Sequence, residues 1–186
     1  MTDQTKIEGI IKEHVIYAMT AGAIPIPIAD FVAVSAIQLD MIKQIAELHG
    51  ADYDSNKGKS LASSLMGTAV SRIGASMIKA IPWVGTLAGI GSQIILSGAA
   101  TYAMGTILDS HLAGKGTLED FSMEGMKSRY KELLKSGKEY AKNLKKKSSI
   151  DDVKNTIEKL RELKESGAIT EEEFASAKER LLNNIA

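Results

Sequence analysis

The side chains in this 186-residue sequence best suited to acid–base or metal chemistry are three histidines, His14, His49 and His111. They are far apart. They lack the short spacing that puts two ligands on one helix face, and no carboxylate accompanies them locally, so they read as surface or cap histidines. Gly58-Lys59-Ser60 matches the end of a phosphate-binding loop. The first glycine of that motif would fall at position 53, which is Tyr53, and no buried strand precedes it, so nucleotide binding is not expected there. Cysteine is absent, which removes disulfides and thiol nucleophiles. The hydroxyl residues of the apolar segments have no base nearby, so nucleophilic catalysis has no support. The reading is of a non-enzyme with no catalytic, cofactor or metal site. Asp30 is the one acid inside an apolar run. It reads as a helix cap at a sharp turn, or as a buried acid at a membrane or partner surface.

The elements around these residues are helical. The chain is 44% apolar, 25% charged and 5% aromatic, a composition of Ala- and Ile-rich helices rather than of a β-sandwich. A first helix is expected over 6–23, with Ile7, Ile10, Ile11, Val15, Ala18 and Met19 on one face. Pro25 and Pro27 stop it. A second helix over 29–48 presents Val32, Ala36, Leu39, Ile42, Lys43 and Ile45, with Asp40 and Glu47 facing away and Gly50 as the left-handed stop. Polar residues 51–59 form a loop. A third helix is expected over 60–79, ending at Pro82, Trp83 and Gly85, and a fourth runs from 86 to 112 and stops at Gly114-Lys115-Gly116. The result is two apolar helical hairpins with proline-broken tips. Apolar tips are unusual, because loop tips normally face water. Trp83 suits either a headgroup boundary or a plug between the hairpins. The segments beginning at Ala23 and Ala80 align without gaps, which suits a diverged duplication or a chance match of apolar residues.

The longest uncharged stretch, residues 80–108, is long enough to cross a bilayer, which takes about 20 residues. It is nevertheless rich in Gly, Ala, Ser and Thr. Gly91, Gly98 and Gly105 recur every seven residues, as do Gly67 and Gly74. That spacing makes a groove along which another helix approaches closely, in lipid or in a protein core.

The neutral total charge conceals segregation. Residues 1–112 carry seven basic and nine acidic side chains, residues 113–147 ten and five, and residues 148–186 six and nine. Residues 118–147 read as a charged helix or helix pair with a sparse apolar face of Phe121, Met126, Tyr130, Leu133, Leu134, Tyr140 and Leu144. Its Lys135, Lys138, Lys142, Lys145, Lys146 and Lys147 suit contact with anionic lipid, or a solvated face. Nucleic acid is not expected, since stacking aromatics are few and the chain is neutral. Ser148-Ser149 reads as a linker. A last hairpin follows, with Ile150, Val153, Ile157, Leu160 and Leu163 inward, Gly167 as a stop, a capping box from Thr170 to Glu173, and Phe174, Ala177, Leu181 and Leu182 inward. It is too small for a large core of its own and is expected to lean on a partner or on copies of itself. Three units result: an apolar helical-hairpin domain over 1–116, a basic connecting helix over 117–148 and a two-helix module over 149–186. The polar start, MTDQTKIEG, is not a secretory signal.

Residues 10–112 resemble the family called domain of unknown function 697. The resemblance rests on the turn from Ile24 to Asp30, with its two prolines and acid, and on the pattern from Gln38 to Gly50. The later IPWVGTLAGIGSQIILSGAATYAMG resembles that family's second half. The resemblance implies an all-α bacterial domain, often associated with GTPase domains and often assigned to the inner membrane. No GTPase domain is present here, so any such role would be through a partner. Residues 149–185 resemble the short C-terminal (SHOCT) domain, through Leu160, Leu163, Gly167, Ile169, Thr170, Glu173, Phe174, Lys178 and Leu181. That resemblance implies a small two-helix module thought to mediate association.

The expected function is that of a non-enzymatic, membrane-associated bacterial helical protein. It would be a homo-oligomer acting with membrane lipid or a GTPase partner, in the cytoplasm or on the cytoplasmic face of the inner membrane. The alternative is a soluble ring- or filament-forming scaffold built from the same hairpins.

Overall fold

The computed structural model describes residues 4–22, 29–53, 87–121, 123–146 and 149–183. Among them are six helices and no strand: α1 (Gln4–Ala21), α2 (Ala29–Leu48), α3 (Leu87–Ala113), α4 (Met123–Lys145), α5 (Ile150–Glu165) and α6 (Glu171–Asn183). The fold is all-α. The expected third helix over 60–79 and both apolar tips lie outside the described residues.

In α1, Ile7, Ile11, Val15, Ala18 and Met19 recur at three- and four-residue steps and are all buried. In α2 the buried side is Ala33, Ala36, Ile37, Met41, Ile42, Ile45 and Ala46. Gly50, at φ +66°, ends α2, and Ala51 N–H donates back to Ala46 O. Glycine takes this left-handed position without a Cβ penalty.

α3 is the centre of the fold, packing on α1, α2 and α4. Ala99, Thr101, Ala103, Met104, Ile107, Leu108 and Leu112 are buried. Its small residues permit this crowding. A Cβ at Gly98 would fall 2.5 Å from Met19 Cγ and 3.1 Å from Ala141 Cβ, and one at Gly105 would fall 2.8 Å from Ile11 Cγ1. Its hydroxyls are satisfied locally: Thr101, Thr106 and Ser110 each donate to the carbonyl four residues back, so they enter a helical core without unpaired donors. No described helix is long and apolar enough to cross a membrane.

The turn after α3 departs from expectation. Lys115, within the expected Gly114-Lys115-Gly116 stop, takes the left-handed position, at φ +66°. Residues 118–121 are not the start of a helix, which begins at Met123. Leu118 and Phe121 fold inward to close the core formed by α1, α2 and α3. α4 is one continuous helix along α3. Gly137 lies against the Ala99 backbone, where a Cβ would fall 2.7 Å from its oxygen, and Tyr140 packs on Tyr102 at 4.9 Å between ring centroids.

α5 opens with a full capping box. Ser149 Oγ accepts from Asp152 N–H, and Asp152 Oδ2 accepts from Ser149 N–H. Ser149, read as linker, is thus the helix cap. Gly167 (φ +75°) ends the turn, and Thr170 and Glu173 form the capping box of α6. The hairpin leans on its own chain. Leu160, Leu163, Ile169, Phe174, Ala177 and Leu181 pack on Ala18, Ala21, Ala33, Ala36 and Ile37 of α1 and α2. Two expected inward residues point out: Ile150 is 60% exposed and Leu182 47%. Ile150 is the first residue of its helix, at the end beyond the packed Val153, Ile157 and Leu160, and Leu182 lies about 100° round the helix from the buried Leu181.

Candidate functional site

Each histidine is paired with an aspartate, contrary to the sequence reading. His14 Nε2 lies 2.9 Å from Asp40 Oδ2, His49 Nε2 2.9 Å from Asp109 Oδ1, and His111 Nε2 2.9 Å from Asp120 Oδ1. His14 is not a surface histidine, being only 1% exposed. Two of the pairs join residues 26 and 60 apart in the chain, a juxtaposition that only helix packing creates.

The pair at Asp40 is the hub of a polar clasp. His14 Nδ1 lies 2.7 Å from Ile10 O, so both ring nitrogens face an oxygen acceptor. Asp40 Oδ2 also accepts from Gln44 Nε2 at 2.7 Å and Lys159 Nζ at 2.6 Å. Lys159 donates in turn to Glu162. Asp40 does not face away from the structure, as its position on α2 suggested; α5 covers it. Burial pushes its carboxyl upward, but the hydrogen bonds from His14 and Lys159 and the charge of Lys159 outweigh that and hold it at about 2. Burial pushes Lys159 downward, and the bond and charge of Asp40 more than reverse it, so its ammonium sits above its ordinary range. Tyr17, edge-on to His14 at 5.7 Å, is raised by burial and then by Glu13. The clasp therefore ties α1 and α2 to the C-terminal hairpin with matched charges.

A second tie closes the other end of the bundle, where Asp109 of α3 meets His49 at 2.9 Å and Gln4 Nε2 at 3.3 Å. A third holds the turn after α3, where Asp120 accepts from Thr117 N–H at 2.6 Å. Among the described residues, no group of three or more His, Asp or Glu is arranged to hold a metal ion. An open groove of about 550 Å³ between α1, α4 and α5 is lined by Lys12, Ile16, Met19, Thr20, Tyr140, Asn143, Leu144 and Asp152. It pairs no nucleophile with a base.

The remaining residues singled out in the sequence fall as follows. Pro25, Pro27, Pro82, Trp83, Gly85, Gly67, Gly74 and Lys147 lie outside the described residues, as does Gly58-Lys59-Ser60. Asp30 is in the first turn of α2 and Gly91 in the first half of α3. Gly98 meets α1 and α4, and Gly105 meets α1 and α2. Lys135, Lys142, Lys145 and Lys146 are exposed and Lys138 is half-buried. Sequence reasoning missed Asp40, Lys159, Asp109 and Asp120. The only local signal for any of them was the Thr117-x-x-Asp120 spacing of a turn.

The family described as "Domain of unknown function (DUF697)" matches residues 2–136. The chain belongs to this family. The match extends beyond the resemblance at 10–112, reaching the start of α1 and the first half of α4, the helix that covers α3. The family described as "Short C-terminal domain" (SHOCT) matches residues 155–182, within α5 and α6. Magnetosome membrane protein 22 of Magnetospirillum gryphiswaldense is 34% identical over 154 residues, covering 78% of this chain and 79% of that protein. No solved structure matches the chain. In this DUF697 chain, the clasp joins the DUF697 helices α1 and α2 to Lys159, inside the SHOCT match.

Proposed function

We propose that this chain is a non-enzymatic bacterial protein that associates peripherally with a membrane surface and serves there as a helical packing module. The observation that carries the reading is its similarity, along more than three quarters of both chains, to a protein named for a membrane. The packing of α3 supports the peripheral form. This helix packs on α1, α2 and α4, and among its described side chains from 93 to 112 none is exposed. The non-enzymatic part is supported by how the polar groups are used. Histidines strut helices through aspartates, and the α3 hydroxyls are taken up by carbonyls of their own helix. Fractionation of cells tests the reading. The chain is expected to pellet with membranes in dilute buffer and to be released by alkaline carbonate. A protein wholly in the soluble fraction in dilute buffer overturns it, and one retained through carbonate overturns the peripheral form.

Self-association and a GTPase partner, both implied by the family resemblances, belong to the same reading. Ile150 and Leu182, the large apolar side chains most exposed among the described residues, support self-association through the C-terminal hairpin. A monomer at every concentration in analytical ultracentrifugation removes that part. Failure to retain any GTPase from a host-cell lysate in a pull-down removes the other.

A further inference from the structure

We propose that one face of α4 is the surface that docks on anionic lipid headgroups, through a straight stripe of five lysines; this rests on the membrane reading above. The stripe is Lys131, Lys135, Lys138, Lys142 and Lys145, in a helix that is unbroken from Met123 to Lys145. The steps of three and four residues, at about 100° per residue, keep all five positions within an arc of about 80°, along about 21 Å of helix. Residues outside that arc anchor α4 to α3: Gly137 and Ala141 are buried against it, Tyr140 stacks on Tyr102, and Arg129 donates to Ser110. The helix is thus held with one side on the core, and the stripe runs outside that contact.

The charges are available. Lys131, Lys135, Lys142 and Lys145 are exposed. Lys131, Lys135, Lys138 and Lys145 form no ion pair with a described residue, and Lys142 pairs only with exposed Glu139 at 2.7 Å. A pair so exposed exchanges its partner at little cost. Like charges three and four residues apart repel along a helix, and a plane of anionic headgroups relieves that repulsion for all five lysines at once. Lysine stems reach such a plane with their aliphatic parts along the helix. The tyrosines of α4 pack toward the core, so the stripe offers no stacking platform for nucleic-acid bases. It offers a flat row of point charges, which matches a lipid surface and makes the contact electrostatic and salt-sensitive.

The test is sedimentation of the full chain with vesicles of phosphatidylcholine alone and of phosphatidylcholine doped with phosphatidylglycerol. The parent is expected to bind only the anionic vesicles and to be released as salt is raised. The variant K131Q/K135Q/K138Q/K142Q is expected to lower the partition coefficient by at least about a hundredfold. The charge-matched control K43Q/K154Q/R161Q/K178Q, at exposed positions elsewhere, is expected to stay within a few-fold of the parent. Circular dichroism confirms that each variant remains helical; if the quadruple variant unfolds, the pairs K131Q/K135Q and K138Q/K142Q are each expected to give about a tenfold loss. Equal binding by the folded stripe variants and the parent overturns the stripe while leaving membrane association standing. So does failure of the parent to bind anionic vesicles when it still fractionates with cell membranes. A preference of the parent for duplex DNA or RNA over anionic vesicles overturns the lipid assignment.

Discussion

Replacing Asp40 by Asn removes the carboxylate on which His14, Gln44 and Lys159 converge, and leaves the Lys159 ammonium facing a neutral amide. The Asp40 carboxyl titrates at about 2, against an ordinary value of 3.8. At 1.36 kcal/mol per pH unit, that depression corresponds to about 2 kcal/mol of native-state stabilisation. The side chain keeps 18% of its surface in solvent, and screening reduces the figure to about 1–2 kcal/mol. For a chain of this length the melting temperature then falls by about 2–8 °C. The sign with pH follows from the direction of the shift. A carboxyl depressed in the folded state contributes fully above its unfolded value of 3.8 and loses that contribution as pH falls through about 2. The gap between parent and Asp40→Asn should therefore be widest at neutral pH and shrink from about pH 4 downward. Urea unfolding followed by circular dichroism measures it, at neutral pH and along a descending series. A double-mutant cycle with Lys159→Met should give a coupling of about 1 kcal/mol or more. A variant as stable as the parent at neutral pH, with no coupling to Lys159, refutes the clasp.

Other outcomes follow from the same structure. Gly137→Ala should destabilise by about 1–3 kcal/mol in thermal melts, because the new methyl meets the Ala99 backbone, which cannot rotate aside as a side chain can. Gly9→Ala, in mid-α1 with nothing within 4 Å, should stabilise by about 0.4–1 kcal/mol. Ser149→Ala should cost about 0.5–2 kcal/mol, read as faster proteolysis between α4 and α5. Removal of residues 149–186 uncovers Ala18, Ala21, Ala33, Ala36 and Ile37; binding of a hydrophobic dye should rise and the melting temperature should fall further than in Asp40→Asn.

What was legible in the sequence is what local physics controls. α2 runs over 29–48 as expected, and Gly50 provides the left-handed exit. The Thr170–Glu173 capping box is a four-residue pattern and was read directly. The all-α class followed from helical periodicity and sparse aromatics, and both family resemblances rested on short, dense motifs. What was not legible is what packing decides. His14 and Asp40 are on different helices, and only their pairing with Lys159 turns an apparently outward acid into a covered one. Leu118 and Phe121 continue the periodicity of α4, yet they leave the helix to fill the core, where burial outweighs one more helical turn. Ser149 looked like linker because its partner Asp152 offers a shorter side chain than the usual Glu.

The arrangement of α3 also has a consequence for synthesis. α1 buries its apolar face chiefly against a helix that begins at Leu87. At about 5–20 residues per second, α1 leaves the ribosome roughly 3–13 s before α3 starts to follow it. The alanine face of α1 and α2 waits longer still, since the helices that cover it are made after α3 and α4. During that interval the nascent chain carries an open apolar cleft, closed later by α5 and α6. A chain stalled before these two helices keeps the cleft open, so their synthesis is itself the step that seals this face.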